Sequence, residues 1–327
     1  MKKNIAIVAG GDSSEVGISL KSAKGLYSFI DKERYNVWIV TLIGKNWQVQ
    51  CLNGEKREID KNDFSFIQQE KKIKFDFAYV TIHGTPGENG LLQGYFNLIG
   101  LPFSCCDVLP AALTFNKFYC NRFLKNFDIL VAESLLFRKG APISIEEINK
   151  KIGYPCFVKP NASGSSFGIT KVKSENQIQL ALDRAFTEGD EVMVEKFIEG
   201  TEVTCGIYKT KQKTVILPIT EVVPKNDFFD YNAKYNGQVQ EITPARIQQQ
   251  TAEQIQQLTA KVYDILNCKG IVRMDYIISN EGAIYLLEIN TTPGMTETSF
   301  IPQQVKAAGL NMTDVLTEII ENELNNQ

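Results

Sequence analysis

With 327 residues, of which 43% are hydrophobic and 22% charged, the chain can build two or three domains with full cores, and its composition excludes a disordered or fibrous protein. A formal net charge of −3 without a Lys/Arg block offers no basic face for a nucleic-acid backbone. No apolar run approaches the roughly 18–20 residues that cross a bilayer, and the apolar stretch after Met1-Lys2-Lys3-Asn4 is too short for an export signal, so no membrane association is expected and a cytoplasmic location is.

The first predicted unit is a βαβ opening: an apolar strand at 5–8 ending in Gly10-Gly11, a helical pattern over 14–29, and a second apolar run at 35–42. A strand at 75–82 runs into His83-Gly84 and a loop rich in Gly and Pro, where parallel α/β sheets keep ligand-binding groups. A new unit begins near Phe115, with a helix over 117–127, a strand at 135–137, and Ser144 three residues before Glu147 as capping chemistry for a helix to 152. It continues with strands at 156–158, 169–172 and 192–194, a Gly/Ser loop at 161–168 and a helix over 174–186, the pattern of a small α+β subdomain. Strands at 202–208, 214–223, 270–279 and 283–289 follow, with a helix over 252–266 whose Ile255, Leu258, Val262 and Ile265 keep a helical period, and a last helix over 312–324. The seven cysteines lie in apolar surroundings without paired zinc-site spacing, and read as buried thiols in a reducing compartment.

Three constellations stand out. Alternation along a strand sends Arg273 and Asp275 to one face and Glu288 and Asn290 to one face. If the two strands are neighbours, two carboxylates and an amide oxygen converge beside a guanidinium, a hard-oxygen set suited to Mg²⁺ held together with substrate phosphates. A lone carboxylate in such a strand would read as a surface residue. Four polar groups at matched spacing, flanked by Val272, Tyr276, Leu286 and Leu287, need a reason.

The second constellation runs from Lys159-Pro160-Asn161 through a Gly/Ser loop to Gly168. It can surround phosphate oxygens with N–H groups and hydroxyls while the ammonium supplies charge, although it lacks the Gly-Lys-Ser/Thr ending of a P-loop and alone would be a plain connection. The third is the apolar strand around Val194, which breaks into Glu195-Lys196-Phe197-Ile198-Glu199-Gly200-Thr201-Glu202. This suits an adenine edge read by backbone groups and a ribose held by a carboxylate, or equally an edge strand with solvated charges.

Phe157-Val158-Lys159-Pro160, Gly164-Ser165-Ser166, Val194-Glu195-Lys196-Phe197, Arg273-Met274-Asp275 and Leu287-Glu288-Ile289-Asn290-Thr291-Thr292-Pro293-Gly294-Met295 together resemble the ATP-grasp superfamily and, within it, the D-alanine:D-alanine ligases. Gly10-Gly11-Asp12-Ser13-Ser14-Glu15, His83-Gly84-Thr85-Pro86-Gly87-Glu88 and Asp230-Tyr231-Asn232-Ala233-Lys234-Tyr235 extend the likeness over nearly the whole chain, in the family's order. The resemblance implies an ATP-grasp fold of two α+β subdomains clasping a nucleotide, at 116–196 and 197–327, preceded by a Rossmann-like parallel α/β domain at 1–115. It implies ATP-dependent joining of two D-alanine molecules through a D-alanyl phosphate, releasing ADP and phosphate, for the peptidoglycan precursors of a cell wall. It further implies a homodimer with ATP and two Mg²⁺ ions as cofactors, Mn²⁺ being able to substitute.

Residue by residue, the likeness implies that Lys117 and Lys159 contact ATP phosphates and that Lys234 reaches the γ-phosphate. Glu195, Lys196 and Ile198 would line the adenine site and Glu202 would hold the ribose, while Asp275, Glu288 and Asn290 would bind the metal. Glu15, in a network with Ser165 and Tyr235, would take the ammonium of the first D-alanine, near His83. Arg273, the Gly294 N–H and Ser299 would face the reacting carboxylates, with Phe300 beside the second substrate. Lys234-Tyr235 matches relatives that form a dipeptide and not an ester, so D-alanine is expected over D-lactate. The sequence departs from the family at Val16-Gly17, where many relatives carry a charge, at Cys105, usually glycine, and at Phe300, often aliphatic. A ligase for another amino acid and an inactive nucleotide-binding module are the rival readings; Glu15 and His83 speak against the first, and Lys159, Asp275, Glu288 and Asn290 against the second.

Overall fold

The apolar run at 5–8 becomes the interior strand of a parallel sheet. In the computed structural model, which describes residues 2–51, 54–162, 168–224 and 239–325, β1 (Lys3–Gly10) lies parallel to β2 (Tyr35–Ile43), which turns back through antiparallel β3 (Asn46–Gln50) and β4 (Lys56–Glu58). A two-stranded ribbon, β5 (Phe66–Gln68) and β6 (Lys71–Ile73), precedes β7 (Phe77–Val80), which joins the free side of β1 to give the order β4-β3-β2-β1-β7. Strand alternation divides β1 between two cores. Ile5, Ile7 and Ala9 pack with Ala23 and Leu26 of α1 (Val16–Phe29), whereas Ala6 and Val8 pack with Leu92 and Phe96 of α2 (Leu91–Ile99) and the aromatic rings of Phe64, Phe66 and Phe75. Both faces are covered, so residues 5–8 have no exposed surface, which is why the strand reads as a continuous apolar run.

Two short helices, α3 (Val108–Phe115) and α4 (Lys117–Lys125), lead to an antiparallel sheet of β8 (Ser134–Arg138), β9 (Cys156–Pro160), β10 (Thr170–Val172) and β11 (Glu191–Lys196) in the order β10-β9-β11-β8. Its core unites Val158, Val192 and Val194 with Ile148 of α5 (Ile145–Lys151) and Ile178 and Leu182 of α6 (Ile178–Ala185). The Ser144 hydroxyl accepts from the Glu147 N–H at 3.1 Å, the N-cap expected from the sequence.

The third sheet contains β12 (Gly200–Lys209), β13 (Thr214–Ile216), β14 (Thr220–Pro224), β15 (Val239–Ile242), β16 (Val272–Ser279) and β17 (Ile284–Asn290), ordered β15-β14-β12-β16-β17 with β13 also on β12. The run 214–223 is thus two strands, not one: Pro218 has no N–H to donate to a ladder. One face of this sheet buries Met274 and Tyr276 against Ile255 and Val262 of α7 (Gln249–Ile265) and against Cys120 and Leu124 of α4. The chain ends in α8 (Phe300–Ala307) and α9 (Met312–Leu324), whose Ile301, Val305, Leu316 and Ile319 join the core of α1 and β1. The seven cysteines are free thiols, all buried except the partly exposed Cys268. No helix among the described residues is long and apolar enough to cross a membrane.

The first and third sheets meet at a tight contact. A Cβ on Gly25 of α1 would lie 2.2 Å from the Met295 carbonyl oxygen, so only glycine lets α1 approach the chain that leaves β17. Ser22 accepts from the Met295 N–H at 3.3 Å, and the Thr292 hydroxyl donates to the Ile82 carbonyl at 3.1 Å. The loops after β1, β7 and β17 are thereby brought to one place.

Candidate active site

The register of the third sheet assembles the first constellation. Arg273 stands opposite Asn290 and Asp275 opposite Glu288 on β17, while Thr204 of β12 flanks Asp275 on the other side. Because Met274 and Tyr276 take the helix-covered face, Arg273 and Asp275 point to the other one. The Arg273 guanidinium donates twice to Asp275, Nε to Oδ1 at 2.9 Å and Nη2 to Oδ2 at 2.7 Å, a bidentate, charge-assisted pair in a buried setting. Thr204 donates to Asp275 at 2.6 Å, Asn290 donates to Asp275 at 3.1 Å, and the guanidinium lies 5.2 Å from the Phe300 ring centroid, a cation–π arrangement.

Among the described residues no three His, Cys, Asp or Glu side chains gather as a ready-made metal cage. Two carboxylates and an amide do gather, and the Glu288 side chain stays 31% exposed toward the cleft. This donor set fits Mg²⁺, which takes one or two carboxylates and completes its octahedron with phosphate oxygens and water. The Asn290 amide turns its nitrogen to Asp275 at 3.1 Å and to Glu288 at 3.5 Å; rotated by half a turn it would offer its oxygen to an ion held by the two carboxylates.

Facing these groups across a cleft of about 400 Å³ are residues of β9, β11 and α4. Lys159 pairs with Met193 in the β9–β11 ladder, so Glu195, two residues further along β11, is its diagonal neighbour on the same face. The Lys159 ammonium donates to Glu195 at 2.6 Å, with both side chains buried. Lys117, at the first position of α4, lies 3.8 Å from Glu288 and so ties α4 to β17 across the cleft. Phe157, Phe197, Ile198 and Ile277 supply an apolar wall, and Glu202 also lines the space. Lys196 ends β11 with its side chain exposed, outside the cleft lining, and its N–H donates to the Glu133 carbonyl at 2.8 Å.

Glu15 and His83 are both buried at the end of the first sheet, Glu15 preceding α1 and His83 following β7. The His83 carbonyl accepts from Ser13 at 2.8 Å. Glu88 joins this edge to the third sheet: its carboxylate accepts from the Gly84 N–H at 2.7 Å and from the Thr292 hydroxyl at 2.9 Å. Loss of solvation, and next the neighbouring Glu15 carboxylate, push its pKa up to about 7, against the opposing pull of those hydrogen bonds and of Lys117. Gly294 and Ser299 are adjacent, a Cβ on Gly294 meeting Ser299 Oγ at 3.0 Å, and Ser299 Oγ accepts from the Thr296 N–H at 3.1 Å.

The structure thus brings Lys117, Lys159, Glu195, Ile198, Glu202, Arg273, Asp275, Glu288 and Phe300 around one cleft, with Asn290 beside Asp275. Ser165, Lys234 and Tyr235 lie outside the described residues. Sequence reasoning did not single out Thr204, and named Glu88 only as the end of the His83–Glu88 motif, without a role. Thr204 carried no signal until the strands were paired; Glu88, lying between Gly87 and Gly90 in a loop that follows a parallel strand, did.

Family comparison accords with this geometry. Residues 4–106 match the profile described as D-ala D-ala ligase N-terminus, and residues 123–321 that described as D-ala D-ala ligase C-terminus. A D-alanine–D-alanine ligase of Phocaeicola vulgatus is 64% identical over 322 residues, 98% of this chain and 99% of that protein. The crystal structure of a D-Ala:D-Ser ligase from Enterococcus faecalis superposes with a TM-score of 0.87 at 30% identity, covering 99% of this chain and all of the other. The D-alanine–D-alanine ligase of Bacillus anthracis complexed with ATP gives 0.79 at 27% identity over 99% and 98% of the two chains. Two matched profiles and near-complete coverage at high identity establish that the chain has the ATP-grasp fold and belongs to the D-alanine–D-alanine ligase family.

Proposed function

We propose that this chain is an ADP-forming ligase that joins two D-alanine molecules into D-alanyl-D-alanine for peptidoglycan precursor synthesis. The observation that carries the reading is the single cleft in which the buried Lys159, together with Lys117, faces Arg273, Asp275, Glu288 and Asn290, in a chain whose relatives bear that name along their full length.

A carboxylate is a poor acyl donor because its leaving group would be oxide. In the first step an oxygen of the D-alanine carboxylate bonds to the γ-phosphorus of ATP as the bridging β–γ bond breaks, releasing ADP and leaving D-alanyl phosphate. Lys117 and Lys159 would offset charge on the transferring phosphoryl group, joined by Lys234. Asp275, Glu288 and Asn290 would hold Mg²⁺, which when bound would neutralise phosphate charge as a Lewis acid. The neutral amine of the second D-alanine then forms the C–N bond, phosphate departs with the C–O bond's electrons, and the proton lost from nitrogen leaves with it as hydrogen phosphate. Arg273 and the Gly294 N–H would stabilise the tetrahedral oxyanion, with Ser299 and Phe300 beside the incoming substrate. Glu15, in a network with Ser165 and Tyr235 and near His83, would hold the ammonium of the first substrate. Glu195, Ile198 and, through its main chain, Lys196 would border the adenine and Glu202 the ribose.

The same reading divides the chain into units 1–115, 116–196 and 197–327 and takes it as a cytoplasmic homodimer. Leu91, Leu98 and Leu109 on α2 and α3, 63%, 89% and 74% exposed, support a partner-covered surface. Coupled ADP release tests the activity: D-alanine should drive it and L-alanine should not. Faster turnover with D-serine or D-lactate as second substrate would reassign the second site, and tight ADP binding without turnover of any amino acid would mark an inactive nucleotide-binding module.

A further inference from the structure

Lys117 and Lys159 belong to different elements, and the separation of their ammonium groups depends on how α4 is docked against the end of β9. Asn161, two residues beyond Lys159, makes that junction. It has no exposed surface, and its polar groups are engaged. Its Oδ1 accepts from the Phe118 N–H at 2.8 Å and its carbonyl accepts from the Lys117 N–H at 3.2 Å, so Asn161 satisfies two of the N–H groups that the start of α4 leaves without a helical partner. Asn116 serves a third, accepting from Tyr119 at 3.1 Å, and Asn161 Nδ2 donates to Asn116 Oδ1 at 2.9 Å. A lysine at the first helical position is opposed by the positive end of the helix dipole; this lysine therefore sits where local preference disfavours it, held by tertiary bonds.

The orientation of the Asn161 amide is dictated by Glu191. Nδ2 donates to Glu191 Oε2 at 2.8 Å, while Arg138 Nε donates to Glu191 Oε1 at 3.0 Å from the other side, and the Asn161 N–H donates to the Glu191 carbonyl at 2.9 Å. A carboxylate only accepts, so the amide must turn its nitrogen to Glu191 and its oxygen to α4. Aspartate has the same shape but would set a second carboxylate against Glu191.

We infer that Asn161 is a positioning residue for the nucleotide: by clamping the start of α4 to β9 it sets the distance between Lys117 and Lys159. The inference rests on the reading of those two lysines as phosphate ligands. A side chain acting only in stability would lower the melting temperature and leave substrate constants alone. A positioning residue alters affinity for one substrate and spares the other.

The test compares Asn161→Ala, Asn161→Asp, Glu191→Gln and the double variant Asn161→Asp/Glu191→Gln with Lys117→Ala and Lys159→Ala, measuring KM for ATP and for D-alanine and the ATP dissociation constant by calorimetry. Asn161→Ala should raise KM for ATP about tenfold or more, as expected when reacting groups shift by a fraction of an ångström to an ångström, with KM for D-alanine changed less than about twofold. Asn161→Asp should be worse, and Glu191→Gln should recover part of that loss, since glutamine can donate to the new carboxylate. Where Asn161→Ala does not fold, Glu191→Gln alone, which weakens the side-chain bond to Asn161 together with the ion pair to Arg138, should raise KM for ATP and not that for D-alanine. Unchanged ATP constants in the Asn161 and Glu191 variants, beside weakened binding in the lysine variants, would overturn the Asn161 assignment alone. Unchanged ATP binding in the lysine variants would overturn the reading of the lysines as well.

Discussion

Glu88 offers a sharp thermodynamic test of how the first and third sheets meet, because one carboxyl group takes hydrogen bonds from the loop after β7 and from the loop after β17. Its pKa rises from an ordinary 4.5 to about 7, first through lost solvation and then through the Glu15 charge. Between those two values the folded chain holds a proton that the unfolded chain has released. Stability contributed at this site must therefore fall as pH rises from about 4.5 to about 7, and stay level above that. At about 1.4 kcal/mol per pKa unit the interval corresponds to ~3 kcal/mol, which solvent reaching the partly exposed side chain reduces to about 2 kcal/mol. The perturbation is Glu88→Gln, which cannot titrate. The assay is urea unfolding at a series of pH values from 4.5 to 8, comparing the two proteins; titrations of groups not coupled to Glu88 cancel in the difference. Glutamine keeps one acceptor oxygen for two donors, so absolute stability shifts by about 1 kcal/mol, but the slope is the informative quantity. The variant should gain about 2 kcal/mol on the parent between pH 4.5 and 8. Parallel curves would refute the argument that Glu88 is desolvated beside Glu15.

Three further outcomes follow from the same geometry. Lys159→Ala should destabilise the fold by about 3–5 kcal/mol by leaving the Glu195 carboxylate buried without its partner, and Lys159→Met with Glu195→Leu should recover most of that in a thermal melt while ATP binding stays lost. Glu288→Gln should reduce ADP release by about a hundredfold or more with an unchanged circular dichroism spectrum; near-normal turnover would show that the metal assignment is wrong. Gly25→Ala should cost about 1–3 kcal/mol in chemical denaturation, since its methyl group would press on the Met295 carbonyl, and a neutral result would show that α1 and the β17 loop are not in contact.

Much of the site was legible before any strand was paired. Arg273, Asp275, Glu288 and Asn290 are polar residues at a spacing of two in strands that are otherwise apolar, and alternation alone commits each pair to one face. The βαβ opening, the Ser144 cap and the helix at 249–265 announced themselves through periodicity and capping chemistry. Strands β3 to β6 did not: β4 is exposed throughout and has no apolar alternation to betray it. Helix α3 is apolar on nearly every side and carries Pro110 within its first turn, so no amphipathic stripe marked it.

What the sequence determined by itself is local: which residues are chemically out of place in their strands, where helices start, and, through motifs in a recognisable order, the family. What only the tertiary structure decided is which of these groups face one another. Glu195 reads as one acid among several between 195 and 202 until the β9–β11 register makes it the diagonal partner of Lys159. Thr204, Glu88 and Asn161 acquire a role through hydrogen bonds to residues distant in the chain. The physical reason is that propensity and periodicity act over a few residues, whereas burial and charge pairing are set by the packing of elements that sequence leaves far apart.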